Sequence, residues 1–232
     1  MKIYEYKIEL MEDLMFVSTE YGNEYKAYGF IGNTALPYAL GLIPVHHKVF
    51  KKPQYLNHFS KLNERGIFLT PVTFLGNIEY KLERFNCMPE THHLTWSDDS
   101  GKGRTKIYPD EGWWRMISKG NRGIFYVLTK KKLNLPKYIR VGKFMSKCKI
   151  EGKEVNFSYL NDSEHYTNLI LRAEDISPKI RLKSFIRMDV PNSCYLKDII
   201  FQGKGIEIKS NYIKDPILPL ECKYNTAIEG IS

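Results

Sequence analysis

A chain of 232 residues with 43% hydrophobic content is long enough for one elaborated domain with a buried core. Its formal net charge of +9, from 35 Lys and Arg against 26 Asp and Glu, favours a polyanionic partner through its long-range field. Cys87, Cys148, Cys194 and Cys222 stand far apart with no C-x-x-C pair, which argues against a disulfide framework or a zinc knuckle. No apolar run reaches transmembrane length and the alternating start MKIYEYKIEL has no secretory core, so the expectation is a cytoplasmic protein with no membrane partner.

In chain order, Lys2–Leu10 alternates as a first strand. Asn33 is placed to cap a helix over NTALPYALGL, with Pro37 in its first turn, Leu36, Tyr38 and Leu40 packing and Gly41 near its end. Residues 44–53 are basic, and Tyr55–Glu64 has apolar residues at helical spacing with Gly66 as terminator. Ile67–Leu75 and Ile78–Arg84 then read as two strands of a hairpin about Gly76–Asn77. Residues 86–110 form a long polar insertion carrying His92, His93, Trp96, Lys102, Arg104 and Lys106. It reads as two extended arms with a basic tip, or as a surface loop.

Gly112–Arg115 is GWWR, and two adjacent Trp on a strand point to opposite faces, so one is exposed or covers an interface. Ser118–Gly123 (SKGNRG) is either a phosphate-holding nest of backbone amides or a basic hairpin turn. Ile124–Thr129 is a continuous apolar run and so a buried central strand. Beyond Gly152, strands are expected at 155–160, 166–172, 180–188, 195–201 and 206–209, the last two separated by a turn at Gln202–Gly205.

The stretch Tyr138–Ile150, YIRVGKFMSKCKI, changes its apolar phase after Gly142. Ile139 and Val141 hold one face before it; Phe144, Cys148 and Ile150 hold the apolar face after it. A bulge at Gly142–Lys143 would absorb that slip and put Arg140, Lys143, Met145, Lys147 and Lys149 on one face. Alternate residues would then be about 6.6 Å apart, from a rise of about 3.3 Å per residue, a pitch that suits the phosphates of an extended strand. A solvated edge strand protected by lysines accounts for the same pattern. The abundance of aromatic residues (16 Tyr, 12 Phe, 3 Trp) suits a single-strand binder and equally a β-rich core.

No H-E-x-x-H, phosphate-loop or G-x-S-x-G motif is present, so no catalytic set, metal site or cofactor is expected. A His with a nearby Tyr or Lys could still cut RNA without metal, and His46, His47, His92 and His93 are the candidates for that alternative. A protein–protein adaptor with a basic face is a third class.

The opening strand, EDLMFVSTEYG, NTALPYALGL and YIRVGKFMSKCKIE together resemble the Cas-five-type subunit (Csc-one lineage) of the subtype I-D CRISPR interference complex, over residues 1–43 and 112–151. The resemblance implies an α+β fold: a ferredoxin-like, RRM-type RAMP domain spanning residues 1–232, with 86–110 as a projecting β-hairpin thumb and 152–232 as a β-rich C-terminal elaboration. It implies a non-catalytic subunit that binds the repeat-derived five-prime handle of the crRNA and caps the filament of the Cas-seven-type backbone subunit. It also implies contact with the Cas-ten-type large subunit near the target DNA at the PAM. On that reading the RNA-binding candidates are Arg140, Gly142, Lys143, Ser146, Lys147, Lys149, Trp113, Arg115, Lys119 and Arg122. Trp96, Lys102, Arg104 and Lys106 are the thumb or interface candidates.

Overall fold

In the computed structural model, which describes residues 1–16, 18–21, 24–44, 55–87, 110–190 and 193–226, the chain is mostly β with few helices. The N-terminal part holds β1 (Lys2–Leu10), β2 (Ser18–Tyr21), β3 (Glu24–Ala27), β4 (Phe30–Ile31), α1 (Leu36–Ala39) and α2 (Tyr55–Glu64). The middle holds β5 (Phe68–Leu69), β6 (Val72–Phe74), β7 (Tyr80–Cys87), β8 (Asp110–Ile117), β9 (Arg122–Thr129), β10 (Tyr138–Val141) and β11 (Ser146–Val155). The C-terminal part holds β12 (Phe157–Thr167), β13 (Leu171–Arg172), β14 (Arg181–Val190), β15 (Ser193–Ile208) and β16 (Ile217–Pro219). The broad α+β expectation narrows to this mostly β architecture.

β1 and β9 form the middle of a seven-stranded sheet of order β10-β11-β1-β9-β6-β4, with β5 also on β9. β1 pairs antiparallel with β11 on one side and β9 on the other. The apolar run of β9 is buried from Gly123 to Thr129, as its lack of alternation requires for a strand covered on both faces. Tyr6 stacks on Phe125 with ring centroids 5.3 Å apart, and Gly152, opposite Tyr6 on β11, leaves the space that this ring fills. A second sheet is built on β15, which pairs with β12, β13, β14 and β16. A third, of order β2-β3-β8-β7, carries the two strands that flank residues 88–109.

A buried carboxylate ties the segment after β15 to the first sheet. The Glu5 carboxyl is buried and accepts from Tyr126 Oη at 3.0 Å, Asn211 Nδ2 at 2.8 Å, the Asn211 amide at 3.2 Å and the Ser210 hydroxyl. Tyr224 closes the tail over α2: its ring stacks on Phe59 at 4.8 Å, and Asn63 bonds both its backbone groups.

Local expectations change in several places: the strand expected over 67–75 divides into β5 and β6, and that over 166–172 divides between β12 and β13. Gly76–Asn77 does not close a hairpin, because β6 joins the first sheet and β7 the third. β15 runs unbroken through Gln202–Gly205, and its hairpin partner is β14. Asn33 caps nothing: α1 has four residues and its N-cap is Ala35. Asn33 is instead buried, with Nδ2 donating to the Leu69 carbonyl at 3.2 Å and to Asp175 at 2.7 Å. A further change, at Tyr138–Ile150, belongs to the candidate interface. The thumb candidates Trp96, Lys102, Arg104 and Lys106, and His46, His47, His92 and His93, lie outside the described residues.

Removing a buried acceptor strands its donors, each at about 1–3 kcal/mol. Glu5→Ala is expected to lower the unfolding free energy by at least about 3 kcal/mol, and Tyr126→Phe by about 1 kcal/mol, measured by urea denaturation.

Candidate nucleic-acid interface

The stretch Tyr138–Ile150 is a tight hairpin and not a bulged strand. β10 and β11 pair antiparallel with Tyr138 opposite Lys149, Ile139 opposite Cys148, Arg140 opposite Lys147 and Val141 opposite Ser146. The phase flip read in the sequence is therefore a reversal of the chain at residues 142–145, where Gly142 has φ +80° and Met145 φ +54°. Ile139, Val141, Ser146 and Cys148 face inward. Tyr138, Arg140, Lys147 and Lys149 form a two-by-two block on the outer face, which replaces the linear row of cations. The row continues across the sheet as Tyr138, Lys149, Glu9 and Arg122.

The turn is seated on the chain just after β1. The Lys143 amide donates to the Met15 carbonyl at 2.7 Å, the Met11 amide to the Lys147 carbonyl at 3.0 Å, and the Ser146 hydroxyl to the Asp13 carbonyl at 2.7 Å. Glu12 Oε2 accepts the Lys147 amide at 2.8 Å and lies 3.7 Å from Arg140 Nη1, which also donates to the Met145 carbonyl at 2.8 Å. Gly142 packs so closely that an added Cβ would stand 2.6 Å from both Leu14 Cδ1 and the Met15 carbonyl oxygen. The missing side chain lets the turn press against Leu14 and Met15.

Asp13 ties in two further elements, accepting from the Lys119 amide and from Lys81 Nζ of β7, each at 2.9 Å. Burial pushes its carboxyl up, but the Lys119 amide and then the Lys81 ammonium outweigh burial and hold it below the usual carboxylate value. The Gly120 amide donates to the Leu10 carbonyl at 2.8 Å. With the amides of Lys119 and Gly120 both engaged inside the protein, Ser118–Gly123 is a braced turn and not a phosphate nest.

The sequence-derived candidates divide by what they touch. Lys143 Nζ lies over the Tyr25 ring at 6.0 Å, and Lys147 Nζ over the Tyr138 ring at 4.8 Å. Lys149 pairs with Glu151 at 2.6 Å, Arg122 with Glu9 at 3.1 Å, and Arg115 with Glu24 at 2.6 Å. The side-chain bond from Glu151 raises the Lys149 pKa, so that ammonium is held by its own strand. Lys119 is exposed and its amide braces Asp13. Ser146 is buried and its hydroxyl is taken by Asp13, which removes it from the contact set. Trp113 is 42% exposed, whereas Trp114 packs on Phe85 at 4.8 Å and on Phe144 at 4.6 Å. Phe144 therefore sits in the turn, 41% exposed against Trp114, and not on the inward face.

Sequence reasoning missed Tyr138 and the Glu12–Asp13 pair. Tyr138 is 44% exposed and has Lys137 Nζ 5.8 Å from its centroid in addition to Lys147. Its signal was an aromatic two residues before Arg140 on the same strand face. The signal of the acid pair was two carboxylates directly after a buried strand in an otherwise basic protein.

Residues 1–226 match the family described as Type I-D CRISPR-associated protein Cas5/Csc1. The chain belongs to this family. No curated protein matches it. Two solved structures are similar at low identity. One is a chain of the Type III-B Cmr-beta complex bound to cognate target RNA and AMPPnP, with 13% identity and a TM-score of 0.45, covering 85% of this chain and 86% of that chain. The other is a CRISPR protein from Archaeoglobus fulgidus, with 10% identity and a TM-score of 0.44, covering 94% of this chain and 100% of that chain. Family membership makes the chain a CRISPR effector subunit, and among its described residues no helix is long and apolar enough to cross a membrane.

Two outcomes follow from the seat of this Cas5/Csc1-family hairpin. Gly142→Ala forces a side chain onto a left-handed backbone and into Met15, and is expected to cost at least about 2 kcal/mol, whereas Lys149→Ala is expected to leave the denaturation midpoint unchanged, both read by chemical denaturation. Asp13→Asn is expected to cost about 1–2 kcal/mol at neutral pH. Asp13's folded value is depressed, so its contribution is full above the ordinary 3.8 and is lost as pH falls through the folded value. Melts of wild type and variant should converge as pH drops below that range.

Proposed function

We propose that this chain is a non-catalytic subunit that binds the repeat-derived five-prime handle of the crRNA through the β10–β11 hairpin. The observation that carries this reading is the outer face of that hairpin. Lys143 and Lys147 rest over partly exposed aromatic rings, at a turn whose backbone is fixed by Met11–Met15. Cations beside aromatic faces on a rigid edge suit a single-stranded polyanion, in which phosphates are neutralised and bases stack. Trp113 of β8 offers a second exposed ring. On the same reading, the seven-stranded sheet with its helices is the ferredoxin-like, RRM-type RAMP core. β7 and β8 are the stem of the thumb, and the chain caps the backbone filament and meets the large subunit near the PAM duplex.

Metal-independent cutting is the competing chemistry. Of the two described histidines, His58 Nδ1 is 3.0 Å from Tyr38 Oη, and His165 is bonded to Ser163 at 3.0 Å. Burial, then the charge of Tyr55, pushes the Tyr38 hydroxyl up to about 12, so it keeps its proton at neutral pH and is a poor base.

If about six phosphates are contacted, log affinity for handle RNA should fall against log salt with a slope near −4, from about −0.7 per phosphate. Lys143→Ala with Lys147→Ala should reduce that slope by about 1.4. An unchanged slope removes the hairpin from the interface, and salt-independent affinity favours an adaptor role. A defined cut of the repeat RNA in EDTA would overturn the non-catalytic assignment.

A further inference from the structure

A groove of about 560 Å³ lies between α1 and the segment that leads into β10. Tyr38–Gly41 form one wall, and Asn134–Pro136 with Tyr138 form the other. That volume falls within the range of about 300–1,000 Å³ typical of small-ligand sites. The walls are mostly aromatic and aliphatic, and the exposed Asn134 adds one amide that can both donate and accept.

The rim is cationic. Lys137 Nζ and Lys147 Nζ lie 5.8 Å and 4.8 Å from the Tyr138 ring centroid. At the α1 end, Arg65 reaches over to the Leu42 carbonyl at 3.0 Å, directly after Gly41. An open groove walled by aromatic and aliphatic residues, with positive charge at its mouth, complements a base whose phosphates continue along both sides. It does not complement an uncharged or basic peptide.

We infer that this groove receives one splayed base of the guide strand. The base lies against Tyr138, its edge meets Asn134, and Lys137 and Lys147 take the flanking phosphates. The inference rests on the RNA-binding reading above and adds a base-specific pocket to a phosphate-binding hairpin. Stacking on one aromatic ring corresponds to roughly tenfold in affinity.

The test uses the full chain and single-stranded handle RNA carrying one 2-aminopurine, or one abasic site, at each position in turn. One position is expected to show a strong change in 2-aminopurine fluorescence on binding, and an abasic site there to weaken binding about tenfold. Tyr138→Ala should remove the fluorescence change and lose the same factor, and the abasic site should then add nothing. Tyr138→Phe should behave as wild type. Ala39→Leu, which fills the groove from α1, should reproduce the loss. Lys143→Ala should weaken every RNA alike while leaving the fluorescence change in place.

Salt-dependent binding in which all abasic RNAs behave alike, or in which the abasic and Tyr138→Ala losses add in full, overturns the pocket and leaves the hairpin reading standing. Absence of salt-dependent RNA binding overturns both. A Tyr138→Ala variant that binds RNA normally but fails to join the backbone subunit overturns the pocket in favour of a protein-docking groove.

Discussion

Everything the candidate interface presents depends on how Met11–Met15 leaves the central strand. After Leu10 the chain places two adjacent carboxylates among backbone donors from distant segments. Glu12 takes the Lys147 amide, and Asp13 takes the Lys119 amide and the Lys81 ammonium. The carbonyls of Asp13 and Met15 hold the Ser146 hydroxyl and the Lys143 amide. Hydrogen bonds to a charged acceptor are worth about 1.5–3 kcal/mol each, more than neutral ones. A few residues thus brace the basic hairpin, the turn at 118–121 and the stem strand β7 against one another. The side chains of Lys143 and Lys147 stay outside that bracing, which uses their backbones.

The two ends of one sheet face are used differently. Glu5, Lys7 and Glu9 alternate on the same face of β1. At Glu5 the C-terminal part closes over the face, and the carboxyl is saturated by Ser210, Asn211 and Tyr126. At Glu9 the face is open, and Glu9 is flanked by Lys149 and Arg122 in the cross-strand row. The count of 35 basic residues therefore overstates what this region offers a polyanion, because Lys149, Arg122 and Arg115 are each paired with a carboxylate. Exposed pairs of this kind are individually weak, so phosphate can compete for those cations at little cost.

What was legible in the sequence had a local signature. Loose alternation marked β1, helical spacing marked α2 and an unbroken apolar run marked β9. Two adjacent Trp implied one exposed ring, and Trp113 is that ring. Partner choice was not legible. Nothing in residues 67–84 says that β6 and β7 enter different sheets, because strand pairing is decided by distant residues. The phase change at Gly142 was read correctly as a pattern, but a slip and a reversal produce the same pattern over a few residues, and only the pairing of Arg140 with Lys147 separates them. Gln202–Gly205 looked like a turn by composition, yet β12 and β16 pair across it and keep it extended. Asn33 has the right residue type for a cap, but Asp175, 142 positions away, claims its amide. The family resemblance was carried by residues 1–43 and 112–151, which supply the central strands of the first sheet and the hairpin.

The most direct test of the hairpin as the RNA contact is ultraviolet cross-linking of handle RNA to the full chain, with the linked peptides mapped by mass spectrometry. The RNA-bearing peptides are expected to fall within residues 134–150 and around Trp113. Linkage confined to β12–β15, with the hairpin unmarked, would contradict the account.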